Sequence, residues 1–256
     1  MDTSVYQIIF FLENFSAEFL SLLTFIVCTI AILGMLRFYG AIGLCVYNAV
    51  AILIANIQVL RLAKFGFSPE PVALGTVVFA TTYLVSDILV EHYGAKTAKD
   101  SLWMSFISQI LMTVIMILTL GHTPLPEDIE ILETTSEANT TYLSMVKLFA
   151  PSPRLLFASL LAYVISQLFD IWIFQKIRDL SHNRFVWLRQ NVSTFLSGLL
   201  DSFIFSYMAW VLLSPTPISF YTLMISYVLG TYFLRLIVNL AGTPIIYLSY
   251  FMVRKP

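Results

Sequence analysis

Residues 81–94 read TTYLVSDILVEHYG, and they close an apolar run that is long enough to cross a bilayer. On a helix, Thr76, Tyr83, Asp87 and Glu91 lie near one stripe, because they are spaced at i, i+7, i+11 and i+15. A carboxylate inside hydrocarbon costs at least about 2.5–3.5 kcal/mol on insertion scales. Asp87 is therefore expected to face protein, water or a ligand, and the function should be sought where it points.

The composition places the chain among integral membrane proteins. Of its 256 residues, 59% are hydrophobic and only 11% are charged, and the mean hydropathy is +0.85. Soluble domains average about 25% charged residues, so too few polar side chains exist here to cover a surface in water. The net charge of −1 shows neither a basic nucleic-acid footprint nor an acidic tail. We expect the lipid bilayer as a partner and no nucleic acid.

The sequence predicts no cofactor and no metal site. Cys28 and Cys45 each lie in an apolar run, so we interpret them as small packed residues rather than a disulfide. No spacing joins His92, His122 and His182 into a set of metal ligands.

Seven apolar runs are long enough to span the hydrocarbon core, which takes about 20 helical residues. Because backbone groups in lipid must be hydrogen-bonded internally, each run is predicted to be a helix. The sequence thus predicts an all-α polytopic membrane protein with one membrane domain over residues 1–256. The spans are placed near residues 19–37, 41–60, 72–92, 100–120, 154–178, 190–213 and 219–240.

Two segments between or after these spans have a distinct composition. Residues 121–153 form the one long connection, rich in Thr, Pro and Glu, and we expect an outer cap or a surface loop there. The tripeptide Gly242-Thr243-Pro244 is expected to break or kink the last helix near the inner face. The remaining apolar run to Val253 is too short for another crossing.

The distribution of Lys and Arg predicts the orientation, because inner loops are enriched in these residues. With the amino terminus outside, the outer segments hold only Arg61, Lys64, Lys147 and Arg154. The inner loops and tail hold Arg37, Lys96, Lys99, Lys176, Arg178, Arg184, Arg189, Arg254 and Lys255. This asymmetry favours an outer amino terminus and an inner carboxyl terminus.

Charged residues within the spans predict one shared cavity. Asp87, Asp170, Asp201 and Arg235 are placed in the inner half to the middle of the bilayer, with Glu91 near the edge. Arg235 can neutralise one of the acids, with Asp201 or Asp87 as the expected partner. Each unpaired carboxylate should hold a proton or await a cationic ligand, because desolvation disfavours its charged form. The surplus of acids therefore points to a binding site.

Neighbouring amides and rings complete the predicted site. Rings that can stack on a flat ligand are Phe79, Tyr83, Trp172, Trp187, Phe205, Tyr207 and Tyr232. A single buried amide commonly joins helices instead. The candidate substrate-binding residues are Asp87, Asp201 and Arg235, followed by Glu91, Asp170, Gln167, Asn191, Asn56 and Tyr83.

Four separate stretches resemble one protein family. They are residues 55–60 (ANIQVL), residues 81–94, residues 161–170 (LAYVISQLFD) and residues 187–205 (WLRQNVSTFLSGLLDSFIF). In these stretches the chain resembles the queuosine precursor transporters, also called the vitamin uptake transporter family. The resemblance is spread over the second to seventh predicted spans, so it is more specific than any single motif.

The resemblance implies import of a 7-deazaguanine base across the cytoplasmic membrane of a bacterium. The base is the aminomethyl precursor, the cyano precursor or queuine, salvaged for tRNA modification. It also implies a core over residues 41–253 similar to the membrane substrate-binding subunits of energy-coupling-factor transporters, here without a partner ATPase. Residues 19–37 are then an extra amino-terminal span.

The chemistry of a deazaguanine matches the candidate residues. A carboxylate can accept hydrogen bonds from N1 and the 2-amino group, and Arg235, Asn191 or Gln167 can donate to the carbonyl. A second carboxylate can pair with the protonated amine of the aminomethyl precursor or of queuine.

The sequence favours a secondary carrier or facilitator over other classes of function. No G-x-x-x-x-G-K-[ST] loop occurs, so the chain carries no ATPase motif. Asp201 follows Gly198-Leu199-Leu200 without the second glycine of presenilin-type proteases, and no serine or zinc motif appears, so we expect no enzyme activity. A retinal protein needs a lysine in its last span, where Arg235 stands. A substrate-binding subunit with an energising partner remains the alternative, and the oligomeric state is open between a monomer and a homodimer.

Overall fold

Helices form most of the computed structural model, which describes residues 3–66, 71–123, 134–149, 153–214, 217–224, 228 and 230–253. Two short antiparallel strands, β1 (Leu62–Ala63) and β2 (Val72–Ala73), lie between the second and third helices. A π-helical turn, Met208–Leu212, extends the seventh helix. In chain order the helices are α1 (Thr3–Leu12), α2 (Ala17–Gln58), α3 (Gly75–Tyr93), α4 (Ala95–Leu120), α5 (Thr134–Phe149), α6 (Pro153–Leu180), α7 (Val186–Tyr207), α8 (Phe220–Thr222) and α9 (Gly230–Met252).

Helix α3, which contains Asp87 and Glu91, is the central element. It packs against α2, α4, α6, α7 and α9, and every residue from Gly75 to Val90 except the half-buried Phe79 is buried. Because its polar side chains face protein rather than lipid, α3 can carry Thr, Ser, Tyr and Asp residues through its whole length. Hydrogen bonds from these polar side chains to neighbouring helices, described below, offset the free-energy cost of burying them.

Helix α2 is a pair of helical segments joined at Gly40. Its 42 residues correspond to about 63 Å of helix, roughly twice the hydrocarbon thickness of a bilayer. At Gly40 the backbone has φ +60° and ψ −136°, which interrupts the helix and which a residue with a Cβ rarely adopts. The two segments on either side correspond to the runs predicted at residues 19–37 and 41–60.

The last predicted span, residues 219–240, is wrong in position. Helix α9 begins at Gly230 and continues through Pro244 to Met252, so Gly242-Thr243-Pro244 does not end the helix. Proline removes one helical hydrogen bond, but Ile245 and Ile246 beyond it are buried in the main apolar core with residues of α2 and α3. Burial of these two side chains favours continuation of the helix. Residues 225–227 and 229, within the predicted span, lie outside the described residues.

The position of each polar cluster is described relative to the two ends of the helical bundle. We call the end that carries β1 and β2 the hairpin end, and the opposite end the Gly94 end. Helix α3 runs from the hairpin end to Gly94, where φ is +86° and α4 begins. Ser159 and Leu160 of α6 line the same cavity as Val59 and Gly75, so α6 also begins at the hairpin end.

The outer surface of the bundle is apolar, as expected in a bilayer. Within the described part of the chain, five helical segments are long and apolar enough to cross a membrane: Ala17–Gln58, Ala95–Leu120, Phe157–Leu180, Val186–Leu212 and Tyr232–Met252. Large apolar side chains point outwards along them, including Ile30, Ile42, Leu118, Trp172, Leu240 and Phe251. Such a surface needs a hydrocarbon environment, and the fold is that of an all-α, multi-pass membrane protein.

Two helices lie where the sequence predicted no span. Helix α1 precedes the first span and exposes Ile8, Phe10 and Phe11. Helix α5 lies within the connection predicted at residues 121–153 and packs against α4. The acidic residues between 127 and 133 in that connection lie outside the described residues.

Candidate functional site

The site is a cavity of about 100 Å³ at the hairpin end, between α2, α3, α6, α7 and α9. One water molecule needs about 10–15 Å³ on this measure, so the space can hold a small organic molecule. We call it the Arg235 cavity. Its lining residues are Ile52, Ala55, Asn56, Val59, Gly75, Thr76, Phe79, Ser159, Leu160, Ala162, Tyr163, Asp201, Phe205 and Arg235.

An ion pair forms the charged wall of the Arg235 cavity. Arg235 Nη1 of α9 donates to Asp201 Oδ2 of α7 over 2.5 Å. Among the described lining residues of this cavity, these two carry the only formal charges, so the wall is neutral overall. The guanidinium also lies over the ring of Phe79, with 5.1 Å from its central carbon to the ring centroid. This arrangement combines a planar donor, an acceptor and an aromatic face.

A chain of hydroxyl groups supports Asp201 from behind. Ser166 Oγ donates to Asp201 Oδ1 over 3.1 Å, and the Tyr83 hydroxyl lies 2.7 Å from Ser166 Oγ. Both carboxylate oxygens of Asp201 are therefore hydrogen-bonded while it remains at the cavity wall. Such support fixes the direction of the carboxylate.

Close helix packing shapes the mouth of the cavity at α2 and α3. A Cβ atom at Gly75 would lie 2.4 Å from the carbonyl oxygen of Ala55, so only glycine allows this approach. Asn56 on the same part of α2 donates to Gln109 Oε1 of α4 over 3.1 Å. The amide of Asn56 thus both lines the cavity and joins two helices.

A second, smaller cavity of about 20 Å³ lies on the other side of Arg235. Tyr83, Thr194, Tyr232 and Asn239 contribute to its lining. Its volume is sufficient for a water molecule. Arg235 is shared by the described linings of the two cavities.

Asp87 and Asp170 lie apart from both cavities. Both side chains are fully buried, and neither is among the lining residues. Asp87 accepts a hydrogen bond from Thr194, and Asp170 accepts one from Ser197. The expectation of one cavity shared by all the acids is therefore wrong, because α9 is shifted along the sequence and Arg235 lies at the hairpin end.

Glu91 belongs to a third cluster at the Gly94 end. Arg189 Nη2 of α7 donates to Glu91 Oε1 over 2.5 Å, and the Tyr250 hydroxyl of α9 donates to the same oxygen. The orientation count treated Arg189 as an inner-loop residue, but it is fully buried. No sequence signal distinguished it, because it directly precedes the run predicted at residues 190–213, where inner-loop residues also lie.

The candidate amides Gln167 and Asn191 join helices and do not line either cavity. Gln167 of α6 accepts from Ser86 over 2.8 Å and donates to Thr82 over 3.0 Å, both on α3. Asn191 of α7 donates to Thr243 of α9 over 2.8 Å. These contacts match the alternative interpretation of buried amides as links between helices.

The candidate aromatic rings fall into two groups, those that line a cavity and those on the outer surface. Phe79 and Phe205 line the Arg235 cavity, and Tyr83 and Tyr232 line the smaller one. Trp172, Trp187 and Tyr207 are exposed on the outer surface and cannot stack on a ligand in either cavity. Tyr163, which the sequence analysis did not select, lines the Arg235 cavity.

The depth predicted for Arg235 is also wrong. Arg235 is five residues from the start of α9, or about 8 Å, and seventeen residues from its end at the Gly94 end. Asp87 is six residues, or about 9 Å, from the end of α3 at the Gly94 end. The two side chains therefore lie towards opposite ends of the bundle.

Comparisons with known proteins agree with this architecture. The family model described as "Putative vitamin uptake transporter" (Vut_1) matches residues 73–249, which include α3 and nearly all of α9. A "Probable queuosine precursor transporter" of Bacillus subtilis (strain 168) is 29% identical over 226 residues, which cover 88% of this chain and 90% of that protein. No solved structure matches. Since the family model covers more than half of the chain, this multi-pass membrane protein belongs to the Vut_1 family of transporters.

Proposed function

We propose that this protein imports a queuosine precursor, a 7-deazaguanine base or queuine, as a secondary carrier or facilitator. The observation that carries the proposal is the Asp201–Arg235 pair, which lies in a cavity walled by the Phe79 ring. The related Bacillus subtilis protein named as a probable queuosine precursor transporter supports the choice of substrate.

The pair offers the hydrogen-bonding groups that a deazaguanine needs. An ionised carboxylate has about four lone-pair sites, so Asp201 can accept from N1 and the 2-amino group while it keeps its contact with Ser166. Arg235 Nε is buried without a hydrogen-bond partner among the described residues, and the guanidinium can turn this unused donor capacity to the carbonyl of the base. Phe79 and Phe205 supply apolar surface for the flat rings.

The proposed substrate contacts are thus Asp201, Arg235 and Asn56, with Tyr83 acting through Ser166. Glu91, Asp170, Asp87, Gln167 and Asn191 are assigned other roles, because they lie off the cavity. Asp201 is the one carboxylate among its described lining residues, so the second carboxylate expected for a protonated amine is not there. Among the precursors, the uncharged cyano base therefore suits the cavity best.

The proposal places the protein in the cytoplasmic membrane of a bacterium, with seven spans and the amino terminus outside. The seven helical segments are the two parts of α2 together with α3, α4, α6, α7 and α9. In this orientation the hairpin end is the outer end, so the Arg235 cavity lies in the outer half. Residues 41–253 form the transporter core, and a homodimer is compatible with the exposed first segment.

The experiment is uptake in a bacterial strain that cannot make queuosine. Cells expressing the protein receive the aminomethyl precursor, the cyano precursor or queuine, and queuosine-modified tRNA is measured. We expect modification to depend on the protein, and to fall to background in Asp201→Asn or Arg235→Ala at equal membrane levels. Asp179→Asn and Arg61→Ala remove exposed side chains of the same charge and serve as matched controls.

Two results would contradict the proposal. The first is no protein-dependent tRNA modification with any of the three bases. The second is normal modification with both cavity variants.

The alternative is a substrate-binding subunit for another small vitamin-like or nucleobase solute that needs an energising partner. The family description, which names vitamin uptake, favours keeping this alternative. Reconstitution of the purified chain alone in liposomes separates the two, because a carrier transports its substrate without an added ATPase and a dependent subunit does not.

A further inference from the structure

Asp87 of α3 and Asp170 of α6 form a carboxyl pair in the interior of the bundle. Both side chains are fully buried, and their hydroxyl donors, Thr194 and Ser197, are three residues apart on α7, so the two carboxyl groups lie against the same turn of that helix. Two bare carboxylates placed in this way repel each other strongly, because little solvent screens them. The pair therefore needs a positive ligand between or beside its oxygens.

The hydrogen bonds of the pair leave one oxygen of each group unused. Asp87 Oδ2 accepts from Thr194 Oγ1 over 3.2 Å, and Asp170 Oδ1 accepts from Ser197 Oγ over 2.8 Å. Asp87 Oδ1 and Asp170 Oδ2 are buried and have no hydrogen-bond partner among the described residues. A single proton held between the carboxyl groups would satisfy both oxygens at once.

The charged groups on the surrounding helices do not neutralise the pair. Arg235 of α9 is engaged by Asp201 of α7, and Arg189 of α7 is engaged by Glu91 of α3. The Tyr250 hydroxyl of α9 also binds Glu91. On the remaining neighbours, the Tyr47 hydroxyl of α2 contacts Thr81, and the charged residues Lys96, Lys99 and Asp100 of α4 are exposed.

Within the carrier function proposed above, on which this step rests, we propose that Asp87 and Asp170 bind the coupling ion, a single proton. The proton binds to one carboxylate oxygen as an O–H group and donates to the other carboxylate. It enters from one side of the membrane and leaves to the other, and no other bond forms or breaks. Asp201 and Arg235 bind the base, so ion and substrate occupy separate sites.

The structure links the two sites through α6 and α7. Ser166 of α6 donates to Asp201 of α7, and Ser197 of α7 donates to Asp170 of α6. On each helix the two residues are four positions apart, so the contacts lie one helical turn from each other on the same interface. A ligand that moves Asp201 relative to α6 therefore also changes the donor to Asp170.

The test uses the purified full-length protein in liposomes, with labelled 7-cyano-7-deazaguanine as the probe. One measurement follows accumulation driven by an inward proton gradient, and the other follows exchange of labelled for unlabelled base without a gradient. We expect Asp87→Asn and Asp170→Asn to lose gradient-driven accumulation, down to the level of exchange alone, and to continue exchange. Asp179→Asn is the control on the same helix and should keep both activities.

The outcomes distinguish this proposal from the proposed function. If the wild-type protein neither exchanges nor accumulates any of the three bases, the carrier function itself fails. If it exchanges the base but accumulation ignores the proton gradient, or follows a sodium gradient instead, the proton site is overturned. Gradient-driven accumulation that persists at the wild-type level in both Asn variants also overturns it.

An infrared measurement keeps the test decisive if the Asn variants do not fold. The wild-type protein at neutral pH should show the carbonyl stretch of a protonated carboxylic acid, shifted in deuterated water. Where the variants fold, each should lose this band, while Asp179→Asn keeps it. A wild-type spectrum without such a band contradicts a shared proton whether or not the variants fold.

Discussion

The two ion pairs found among the described residues use the same chemistry in different surroundings. The side chains of the Arg189–Glu91 pair are 1% and 6% exposed, and the Tyr250 hydroxyl donates a further hydrogen bond to Glu91. The Arg235 side chain of the other pair is 20% exposed and faces a cavity, with Asp201 at 4%. A sealed pair stabilises one arrangement of helices, whereas a pair beside empty space can exchange part of its hydrogen bonding for a ligand. This difference supports the proposal that the pair at the Gly94 end stabilises packing and the pair at the hairpin end binds substrate.

The largest effect on stability should come from breaking the buried Arg189–Glu91 pair. Arg189→Met leaves Glu91 buried and without its cation, which typically costs about 3–5 kcal/mol of stability. Thermal unfolding in detergent should show a clear drop in the melting temperature. Arg235→Met should give a smaller drop, because that side chain is partly exposed. An equal drop for the two variants would remove the distinction between the pairs.

The next effect concerns affinity for the base. Here a change in the Asp201–Arg235 pair should have the larger effect and a change in the Arg189–Glu91 pair the smaller one. Removing one partner of a buried, hydrogen-bonded charge pair at a binding site costs about 2–5 kcal/mol. Asp201→Asn should therefore weaken binding of the base by about 30-fold or more. Glu91→Gln should reduce the amount of folded protein but leave the affinity of the folded fraction near that of the wild type. Equilibrium binding of the labelled base to purified protein measures both.

An intermediate effect is expected where an amide joins α6 to α3. Gln167→Leu leaves the hydroxyl groups of Ser86 and Thr82 without their partner, and each buried unsatisfied group costs about 1–3 kcal/mol. Stability should fall while affinity for the base changes little, because Gln167 does not line the cavity. Loss of affinity without loss of stability would return Gln167 to the list of substrate contacts.

The smallest effect should come from the aromatic wall. Phe79→Leu removes the ring under the Arg235 guanidinium, a contact worth about 0.5–2 kcal/mol, and part of the surface on which a flat base can stack. Affinity should fall between about twofold and 30-fold. Phe106→Leu, on α4 beside Trp103 and away from the cavity, is the matched control. Equal effects of the two changes would indicate a general loss of packing instead.

Much of the fold could be predicted because the bilayer imposes a strong rule on sequence. Runs of apolar residues long enough to cross hydrocarbon must be helical, and all seven predicted runs overlap described helices, although the last covers only the first part of α9. The last run was placed too early in the sequence because Gly242-Thr243-Pro244 was expected to break or kink the helix. The burial of Ile245 and Ile246, which holds the helix together past Pro244, depends on contacts with other helices.

Spacing along a helix predicted that the polar residues of α3 lie on one stripe. It did not predict that Asp87 and Glu91 on this stripe contact different partners. Asp87 and Glu91 are four residues apart on one helix, yet Asp87 accepts from Thr194 and Glu91 binds Arg189. The charges within the predicted spans indicated Asp201 or Asp87 as the partner of Arg235, and in the structure Arg235 pairs with Asp201. Arg189 was overlooked, since a basic residue near a predicted span end resembles an ordinary inner-loop residue.

The sequence by itself determined the class of protein, the number of long apolar runs and the residues that must be kept from lipid. It did so because transfer of charged groups into hydrocarbon is costly wherever the helices lie. Only the tertiary structure decided which acid receives which cation, which rings face the cavity and which face the lipid. These outcomes depend on the rotation and axial shift of each helix against its neighbours, and the periodicity of a single helix does not contain that information.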